Sequence, residues 1–429
     1  MNKIILSSII SASLIISTSG AFANEPHSKH MHQSSQSVYK NTALLTLDDA
    51  VRKAIENAPS ITSNAYAVKA AQAQEQQAGS LPNPEAFFEA ENILGTGAYN
   101  DFDSAEYSLG ISQKIELGGK REARKNIASA QTQKISMLSF LEKLKLERDV
   151  HVAYADILTE EEGLRLAKSQ QDIAHRMLKT VSKRVNKAAE AEIQKTKAEV
   201  AVSSAKIKVR QSEQRLSIAK KRLANLIGET ELSYALDHAH LFDIQKPIPL
   251  DDYLSKVQDL PDVTQFEYLK QEKQAELDYE LAHKTPDPEI SLGVRHFSDS
   301  DDNAFMVGLS MPIPIYNQNQ GNIAKAEAEL AKVSSDKNVI TRSLEQEIIS
   351  QWQDLETSYI ESKELRWKLI PSAEKAFKQA SKNYDRGKFS YLEVLDAQRT
   401  LAEVKEQYYQ SLKNYHIAQA NIERLTSGE

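Results

Sequence analysis

Hydrophobic residues recur every seven positions in two stretches of this chain, and both stretches follow one register. In the second stretch, one such row consists of Val394, Leu401, Tyr408, Tyr415 and Ile422. The parallel row lies three residues further on and consists of Ala397, Val404, Ser411, Ala418 and Leu425. At positions 199 residues earlier, the parallel row reads Ala198, Ala205, Ser212, Ala219 and Leu226, so four of its five residue types recur. A heptad held this long predicts paired coiled-coil helices, and its repetition predicts an internally duplicated chain.

Two other segments show the alternation of two that is typical of β-strands. Each is predicted to form a hairpin, the first over about residues 85–117 and the second over about 288–315. The apolar residues on one face are Tyr107, Leu109 and Ile111 in the first hairpin and Phe305, Val307 and Leu309 in the second. Small or polar residues such as Ser108 and Gly308 occupy the other face.

The repeated elements divide the chain into two similar halves. The first repeat is predicted at residues 44–228 and the second at 250–429, with a linker at 229–249. The linker contains His238 and His240, for which we expect a solvated setting.

Within each repeat, short helices are expected to precede the β-hairpin, and a long helical hairpin is expected to follow it. The first long helix is predicted from Lys120 to about Asn186, a stretch without proline. Its counterpart is predicted from about Asn322 to Arg386. Helices of this length exceed those of ordinary globular domains.

The N-terminus has the composition of a secretory signal peptide over residues 1–23. Lys3 provides the positive end, an apolar stretch follows, and Ala21-Phe22-Ala23 offers a cleavage site. The mature chain is therefore expected to begin at Asn24. A retained membrane anchor is the alternative, which the short and Ser-interrupted apolar stretch disfavours.

Residues 24–43 form a polar segment that is expected to be disordered. Three imidazoles and a thioether lie close together in it, at His27, His30, Met31 and His32. Such a group could bind Cu, Zn, Ni or Co weakly, or it could be a chance feature of a polar tail.

Composition excludes several classes of function. The formal net charge of −7 provides no basic footprint for nucleic acid. The absence of cysteine removes disulfides, thiol catalysis and lipidation at an N-terminal cysteine. No nucleophilic triad or nucleotide-binding fingerprint is evident, so we expect neither a cofactor nor an enzyme.

Whether the chain spans a membrane depends on its two β-hairpins. Beyond the signal peptide there is no run of about 20 apolar residues, so no transmembrane helix is expected. Four strands cannot close a barrel that hides its edges from lipid, whereas three copies of the chain would supply about twelve strands. The alternative is a soluble α+β domain whose hairpins pack on its own helices.

Four motifs, taken together, carry a family resemblance that covers about residues 44–427. They are Leu81-Pro82-Asn83-Pro84-Glu85, Phe102-Asp103-Ser104-Ala105-Glu106, Glu116-Leu117-Gly118-Gly119-Lys120-Arg121 and the stretch from Pro312 to Ile323. With them the chain resembles the TolC-like outer-membrane efflux channels, specifically their cobalt–zinc–cadmium resistance branch. The resemblance implies a mostly α-helical trimer with membrane β-structure. Its 12-stranded outer-membrane barrel, four strands from each protomer, would continue into a long periplasmic tunnel of coiled-coil helices.

The resemblance also implies partners and a tunnel tip. The partners are a periplasmic adaptor and an inner-membrane pump of the resistance–nodulation–division class. In family members an acidic pair lines the periplasmic constriction, and it maps onto Glu393 and Asp396. In a trimer these would form two stacked carboxylate rings that favour cations, and crowding would raise some of their pKa values. The alternative is that both acids merely solvate a helix face.

Residues around the tip turn would serve packing, gating and adaptor docking, again by resemblance. They are Tyr384, Arg386, Gly387, Lys388 and Phe389. Phe389 stands where some family members carry an arginine that locks the closed state, so the chain departs from the family's salt-bridge lock there.

The function expected from these features is a passive exit channel in the outer membrane, which conducts exported solutes, with heavy-metal cations foremost. Two alternatives remain open at this point. One is a channel of the same fold for drugs or other organic solutes. The other is a soluble periplasmic coiled-coil adaptor that binds partners and conducts nothing.

Overall fold

The computed structural model of the protein describes residues 43–427. The predicted signal peptide and all but the last residue of the predicted tail, including its histidines, lie outside the described residues. Within the described range the α-helices are α1 (Leu47–Asn57), α2 (Pro59–Ala78), α3 (Lys120–Asn186), α4 (Glu192–Leu226), α5 (Ala239–Phe242), α6 (Leu250–Leu254), α7 (Pro261–Ala282), α8 (Gln320–Glu364), α9 (Ile370–Asp385) and α10 (Tyr391–Thr426). The β-strands are β1 (Leu44–Leu45), β2 (Glu85–Glu91), β3 (Glu106–Lys114), β4 (Ala235–Leu236), β5 (Glu289–Phe297) and β6 (Asp302–Ser310).

The longest element, α3, is one uninterrupted helix of 67 residues with the predicted bounds. At 1.5 Å per residue it spans roughly 100 Å. It packs along α4 and α10 and also contacts α2 and α7. No helix within residues 43–427 combines the length and the apolar composition that a bilayer-spanning helix needs.

The second long helix differs from the prediction because it is interrupted by a π-helical segment, Leu365–Leu369, between α8 and α9. Pro371 lies just beyond this segment, in the first turn of α9. Proline lacks the N–H of a helical hydrogen bond, and its ring clashes with the carbonyl four residues earlier. A local change to the wider π-helical spacing accommodates the proline without ending the helix.

The two hairpins form one antiparallel sheet of strand order β2-β3-β5-β6, in which β3 of the first repeat pairs with β5 of the second. The two faces of this sheet differ sharply in charge. The face that carries Leu109, Val294 and Val307 bears no Asp, Glu, Lys or Arg, whereas the face that carries Ser108 and Arg295 bears eight such residues. We call them the apolar face and the charged face.

Glycine is required on the charged face where side chains cross close to the backbone. Gly110 lies opposite Gly293 on one side and Phe87 on the other. A Cβ atom at Gly110 would come within 2.5 Å of the Phe87 ring and within 2.6 Å of the Leu292 carbonyl oxygen. The ring of Phe87 therefore lies across β3 only because residue 110 has no side chain.

Strand β6 ends at Ser310, five residues before the end of the hairpin segment predicted from the sequence. Pro312 and Pro314 follow, and neither can donate a backbone hydrogen bond to a neighbouring strand.

The segment 229–249 connects the two repeats, but it is not the solvated linker expected from the sequence. Its strand β4 pairs in parallel with β1, and Leu241 in α5 is fully buried in the main hydrophobic core. Tyr154 of α3 anchors this segment, because its hydroxyl donates to the Leu45 carbonyl (2.8 Å) and accepts the Asp237 N–H (2.9 Å).

The expectation that the linker histidines are solvated is therefore wrong. The His238 imidazole lies 2.9 Å from a carboxylate oxygen of Glu161. The His240 ring packs against the ring of His416, with 4.8 Å between centroids. Apolar residues of the linker, which lack a helical or strand period, pack into the core and leave both histidines half-buried at its edge.

His416 of α10 is buried, and its Nε2 lies 3.0 Å from the carbonyl oxygen of Leu241. Burial lowers the pKa of His416 to about 4, with a smaller contribution in the same direction from His240. The hydrogen bond with the Leu241 carbonyl acts in the opposite direction, as do the nearby carboxylates of Asp243 and Glu423. The imidazole is thus neutral in the folded protein at neutral pH.

This burial predicts a loss of stability in mild acid. Between pH 7 and pH 4 the unfolded chain takes up a proton at residue 416 that the folded chain does not, so the free energy of unfolding falls as pH falls. The contribution of His416 to this fall is up to roughly 3 kcal/mol. We expect His416→Gln, which keeps a donor for the Leu241 carbonyl, to flatten the pH dependence of denaturant unfolding followed by circular dichroism. A pH dependence equal to that of the parent protein would contradict this assignment.

Candidate functional site: the helical tips and the two faces of the sheet

The second helical reversal is built by a glycine and a capping box. Gly387 adopts a left-handed conformation with φ 74°, which lets the chain turn after α9. Ser390 then caps α10: its hydroxyl and backbone N–H both donate to the carboxylate of Glu393, while its side chain accepts from the backbone of that residue. The reciprocal arrangement satisfies backbone donors at the start of the helix.

The predicted acidic pair, Glu393 and Asp396, lies on the exposed surface of the first turns of α10. The hydrogen bonds from Ser390 hold the pKa of Glu393 below its usual range. This direction is opposite to the rise expected for a crowded carboxylate ring, because in a single protomer the capping hydrogen bonds dominate the surroundings of Glu393.

Among the other predicted tip residues, one side chain is buried and three are exposed. Tyr384 is fully buried, whereas Arg386, Lys388 and Phe389 are exposed around the turn at Gly387. Burial, reinforced by the nearby carboxylate of Glu190, raises the pKa of Tyr384 to about 12. Tyr384 is therefore a packing residue of the tip, and the exposed residues are those available to a partner.

The first reversal contributes a residue that sequence reasoning missed. Arg184, near the end of α3, donates from Nη1 to the backbone carbonyl of Tyr384 (2.9 Å). Its guanidinium carbon lies 4.8 Å from the centroid of the Tyr384 ring, and its Nε donates to Glu190 at 3.1 Å. Arg184 thus ties the two reversals together within one protomer. No repeat signal pointed to it, since residue 383, 199 positions later, is Asn.

The backbone of the first reversal is strained at one residue. Ala188 occupies the position that corresponds to Gly387 in the duplicated pattern, and it adopts the left-handed conformation with φ 55°. Such a conformation is unfavourable for a residue with a Cβ atom. The contacts of Arg184 and Glu190 lie next to this turn and help to hold it.

An apolar groove of about 590 Å³ lies between α4 and α10 close to the tips, and α3 also lines it. Its lining includes Val200, Ala205, Leu392 and Leu395. On α4 the exposed row Ile193, Val200 and Ile207 continues along this side at seven-residue intervals. An exposed apolar row of this kind marks an interaction surface.

The residues predicted to face lipid share the apolar face of the sheet. They are Tyr107, Leu109 and Ile111 on β3 and Phe305, Val307 and Leu309 on β6. Phe305 is 92% exposed and Leu309 is 74% exposed, while Ser108 on the opposite face is buried. The strand facing is therefore as predicted, and contact with lipid remains a prediction.

Across residues 43–427, no group of three or more His, Asp or Glu side chains is arranged to hold a metal ion. The predicted metal-binding residues His27, His30, Met31 and His32 lie outside the described residues. The described geometry instead offers two separate charged surfaces, at the tips and on the charged face of the sheet.

The described chain thus combines long antiparallel helices with a four-stranded sheet that has one apolar and one charged face. The sequence profile of the family described as "Outer membrane efflux protein" matches residues 50–229 and 267–428. The chain therefore belongs to the outer membrane efflux protein family, and it is an outer-membrane protein. The match confirms the TolC-like family resemblance predicted from the sequence.

Individual relatives agree with this assignment. The cobalt-zinc-cadmium resistance protein CzcC of Cupriavidus metallidurans is 27% identical over 383 residues, which cover 89% of this chain and 90% of CzcC. The pyoverdine export outer membrane protein OpmQ of Pseudomonas aeruginosa is 24% identical, over 83% of this chain and 79% of OpmQ. A crystal structure of CusC superposes with a TM-score of 0.71 at 17% identity, over 92% of this chain and 96% of CusC. The last similarity confirms the TolC-like fold.

The contacts of Arg184 predict that its removal loosens the tip. Because hydrogen bonds to charged groups contribute about 1.5–3 kcal/mol each, Arg184→Ala should make local opening of the reversals at least about tenfold more frequent. We expect trypsin to cleave the native protein after Lys388 correspondingly faster.

The matched control is Arg176→Ala, since Arg176 is an exposed arginine on the same helix with no ion pair among the described residues. Equal cleavage rates for the two variants would show that the arginine contacts do not hold the tip.

Proposed function

We propose that the protein is the outer-membrane exit channel of a tripartite efflux system and passively conducts heavy-metal cations out of the cell. The observation that carries this proposal is the similarity to CzcC along nine-tenths of both chains. The energy for export would be spent at an inner-membrane RND pump, and this chain would supply the path across the periplasm and the outer membrane.

A homotrimer is the assembly that the sheet supports best. The outer strands β2 and β6 each have a sheet neighbour on one side only within the described chain. Three copies placed side by side would pair these edges and form a barrel of 12 strands. The apolar face would then contact outer-membrane lipid, and the charged face would line a water-filled lumen.

The helical hairpins would form the wall of the periplasmic tunnel, with the tips pointing to the adaptor. The exposed residues Arg386, Lys388 and Phe389 and the apolar groove between α4 and α10 provide polar and apolar contacts for an adaptor helix. Glu393 and Asp396 would form the cation-selecting constriction of the tunnel.

A channel for an organic solute is the second candidate, because OpmQ, a pyoverdine export protein, also matches most of this chain. In either case the family is one of efflux proteins rather than enzymes, and we infer that the chain carries out no chemical reaction of its own. It needs no cofactor for passive conduction.

The test of the substrate class is a deletion strain of the source bacterium that is complemented with the wild-type gene. We expect the deletion to lower the tolerance to divalent metals such as Co, Zn, Cd or Ni by several-fold, and we expect complementation to restore it. Unchanged metal tolerance combined with sensitivity to organic compounds would favour the second candidate.

The constriction predicts a change in ion selectivity. In Glu393→Gln with Asp396→Asn, the Gln keeps the capping interaction with Ser390 while the carboxylate charges are removed. We expect the single-channel conductance in lipid bilayers to rise and the preference for cations over anions to fall by several-fold.

The control for this experiment is Glu231→Gln, since Glu231 is exposed in the segment between the repeats. If the double variant gave the same reversal potential as this control, the carboxylate ring would not exist.

The apolar face predicts a difference between neighbouring residues of β6. Leu309→Lys would place a charge on the face proposed to contact lipid, whereas Ser310→Lys would place it on the charged face. We expect the first variant to give several-fold less trimer in outer-membrane extracts, because charge on the lipid face of a barrel is destabilising. Equal amounts of assembled trimer would contradict the proposed facing.

A further inference from the structure

We propose that Arg295 keeps the outer end of the conducting path from trapping the cations that pass through it. Its guanidinium would occupy, with a fixed positive charge, the place between two carboxylates where a divalent cation would otherwise bind. This inference rests on the proposed function, and it adds a specificity-determining residue at the opposite end of the protein from Glu393 and Asp396.

The guanidinium of Arg295 reaches from β5 across β3 to β2 on the charged face. Its Nε donates to the hydroxyl of Ser108 (3.0 Å), and its Nη1 donates to a carboxylate oxygen of Glu106 (2.8 Å). Its Nη2 lies 3.1 Å from a carboxylate oxygen of Glu91. One side chain thereby engages three strands and links the hairpin of the first repeat to that of the second.

The two carboxylates are direct cross-strand partners. Glu91 of β2 pairs with Glu106 of β3 in the antiparallel register. Like charges directly opposite each other destabilise a sheet, so this pair needs a positive charge nearby. Arg295 supplies it, and Asn92 donates from Nδ2 to the remaining oxygen of Glu106 at 3.0 Å.

The charged face as a whole is strongly acidic, so few positive charges are available to compensate Glu91 and Glu106. Its acidic residues are Glu85, Glu89, Glu91, Glu106, Glu289 and Asp302. Its only basic residues are Lys114 and Arg295, and Lys114 lies at the other end of β3, within 3.4 Å of Asp287. Arg295 is therefore the sole positive charge among the described strand residues of this face near the loops.

A conducting path must attract its ion and also release it. Oxygen ligands from two adjacent carboxylates suit divalent cations, including Zn²⁺. With Arg295 between them, Glu91 and Glu106 still contribute one net negative charge but have no vacant place for an ion. The arrangement therefore favours entry of cations without long residence.

The direct test counts bound metal. Full-length protein is purified in detergent, and Zn²⁺ binding is measured by equilibrium dialysis. We expect Arg295→Gln to bind one more Zn²⁺ per chain than the parent protein, and we expect Glu91→Gln with Glu106→Gln in the same chain to abolish the gain. An unchanged Zn²⁺ count in Arg295→Gln, or a gain that survives loss of both carboxylates, would overturn the proposal.

Two further variants separate charge from structure. Arg295→Lys keeps the positive charge, so it should bind the parental number of Zn²⁺ ions, and additional binding would count against the proposal. Lys337→Gln frees the carboxylate of Glu267 on α7 by removing its ion pair, and it serves as the matched control because no second carboxylate acts on Glu267.

The converse variant removes both carboxylates and keeps Arg295, and it tests the proposal if Arg295→Gln does not assemble. Glu91→Gln with Glu106→Gln leaves the guanidinium uncompensated and should shift the reversal potential of the channel toward anions, whereas no shift would overturn the proposal. The number of bound Zn²⁺ ions does not depend on conduction, so an unexpected Zn²⁺ count contradicts the role of Arg295 and leaves the proposed function untouched. A parent protein that forms no ion-conducting pore would contradict the proposed function alone.

Discussion

Unpaired backbone groups on the edges of the four-stranded sheet are the constraint on which the rest of the architecture depends. Strands β2 and β6 each have a hydrogen-bonded neighbour on only one side within residues 43–427. In a hydrocarbon environment, an unpaired N–H or C=O group costs several kcal/mol. A protein that inserts this sheet into a membrane must therefore pair its edges with other copies. The separation of apolar and charged faces suits such a closed arrangement, in which one face would meet lipid and the other would meet water.

Periodicity in the sequence predicted the elements that are governed by local pattern. The bounds of α3 followed from the absence of proline between residues 120 and 186. The facing of Leu109 and Val307 followed from the alternation of two, which leaves little freedom in which face is apolar. The connecting segment was predicted wrongly, since Leu236 and Leu241 are isolated apolar residues without a period. Their burial depends on Tyr154, which is distant in sequence and reaches them only in the folded chain.

The candidate functional residues show the same division. Glu393 and Asp396 were found through a motif, yet the capping role of Glu393 depends on the local geometry of Ser390. Arg184 and Arg295 were not found at all. Each acts across the boundary between the two repeats, on Tyr384 and on Glu91 respectively, and a pattern read along one strand or helix carries no information about such partners.

The two repeats share the same order of elements but differ in the side chains on corresponding helices. The outer row of α4 is apolar at Val200 and Ile207, whereas the residues 199 positions later on α10 are Arg399 and Glu406. The groove between these helices consequently has an apolar wall on α4 and a wall on α10 that carries charge away from the tip.

The π-helical segment has a consequence for how the second repeat is aligned with its relatives. Ser358 and Leu365 are buried seven residues apart, and so are Ala373 and Ala380, but the step from Leu365 to Ala373 is eight. The wider turn has absorbed one residue, so the buried row of α9 stays on the same side of the helix as that of α8, while its count along the sequence shifts by one. Any comparison that counts heptads straight through this helix therefore assigns the wrong side chains to the interior from Pro371 to the tip. Deletion of one residue in the segment would restore a regular α-helix and would leave the same face of α9 turned inward.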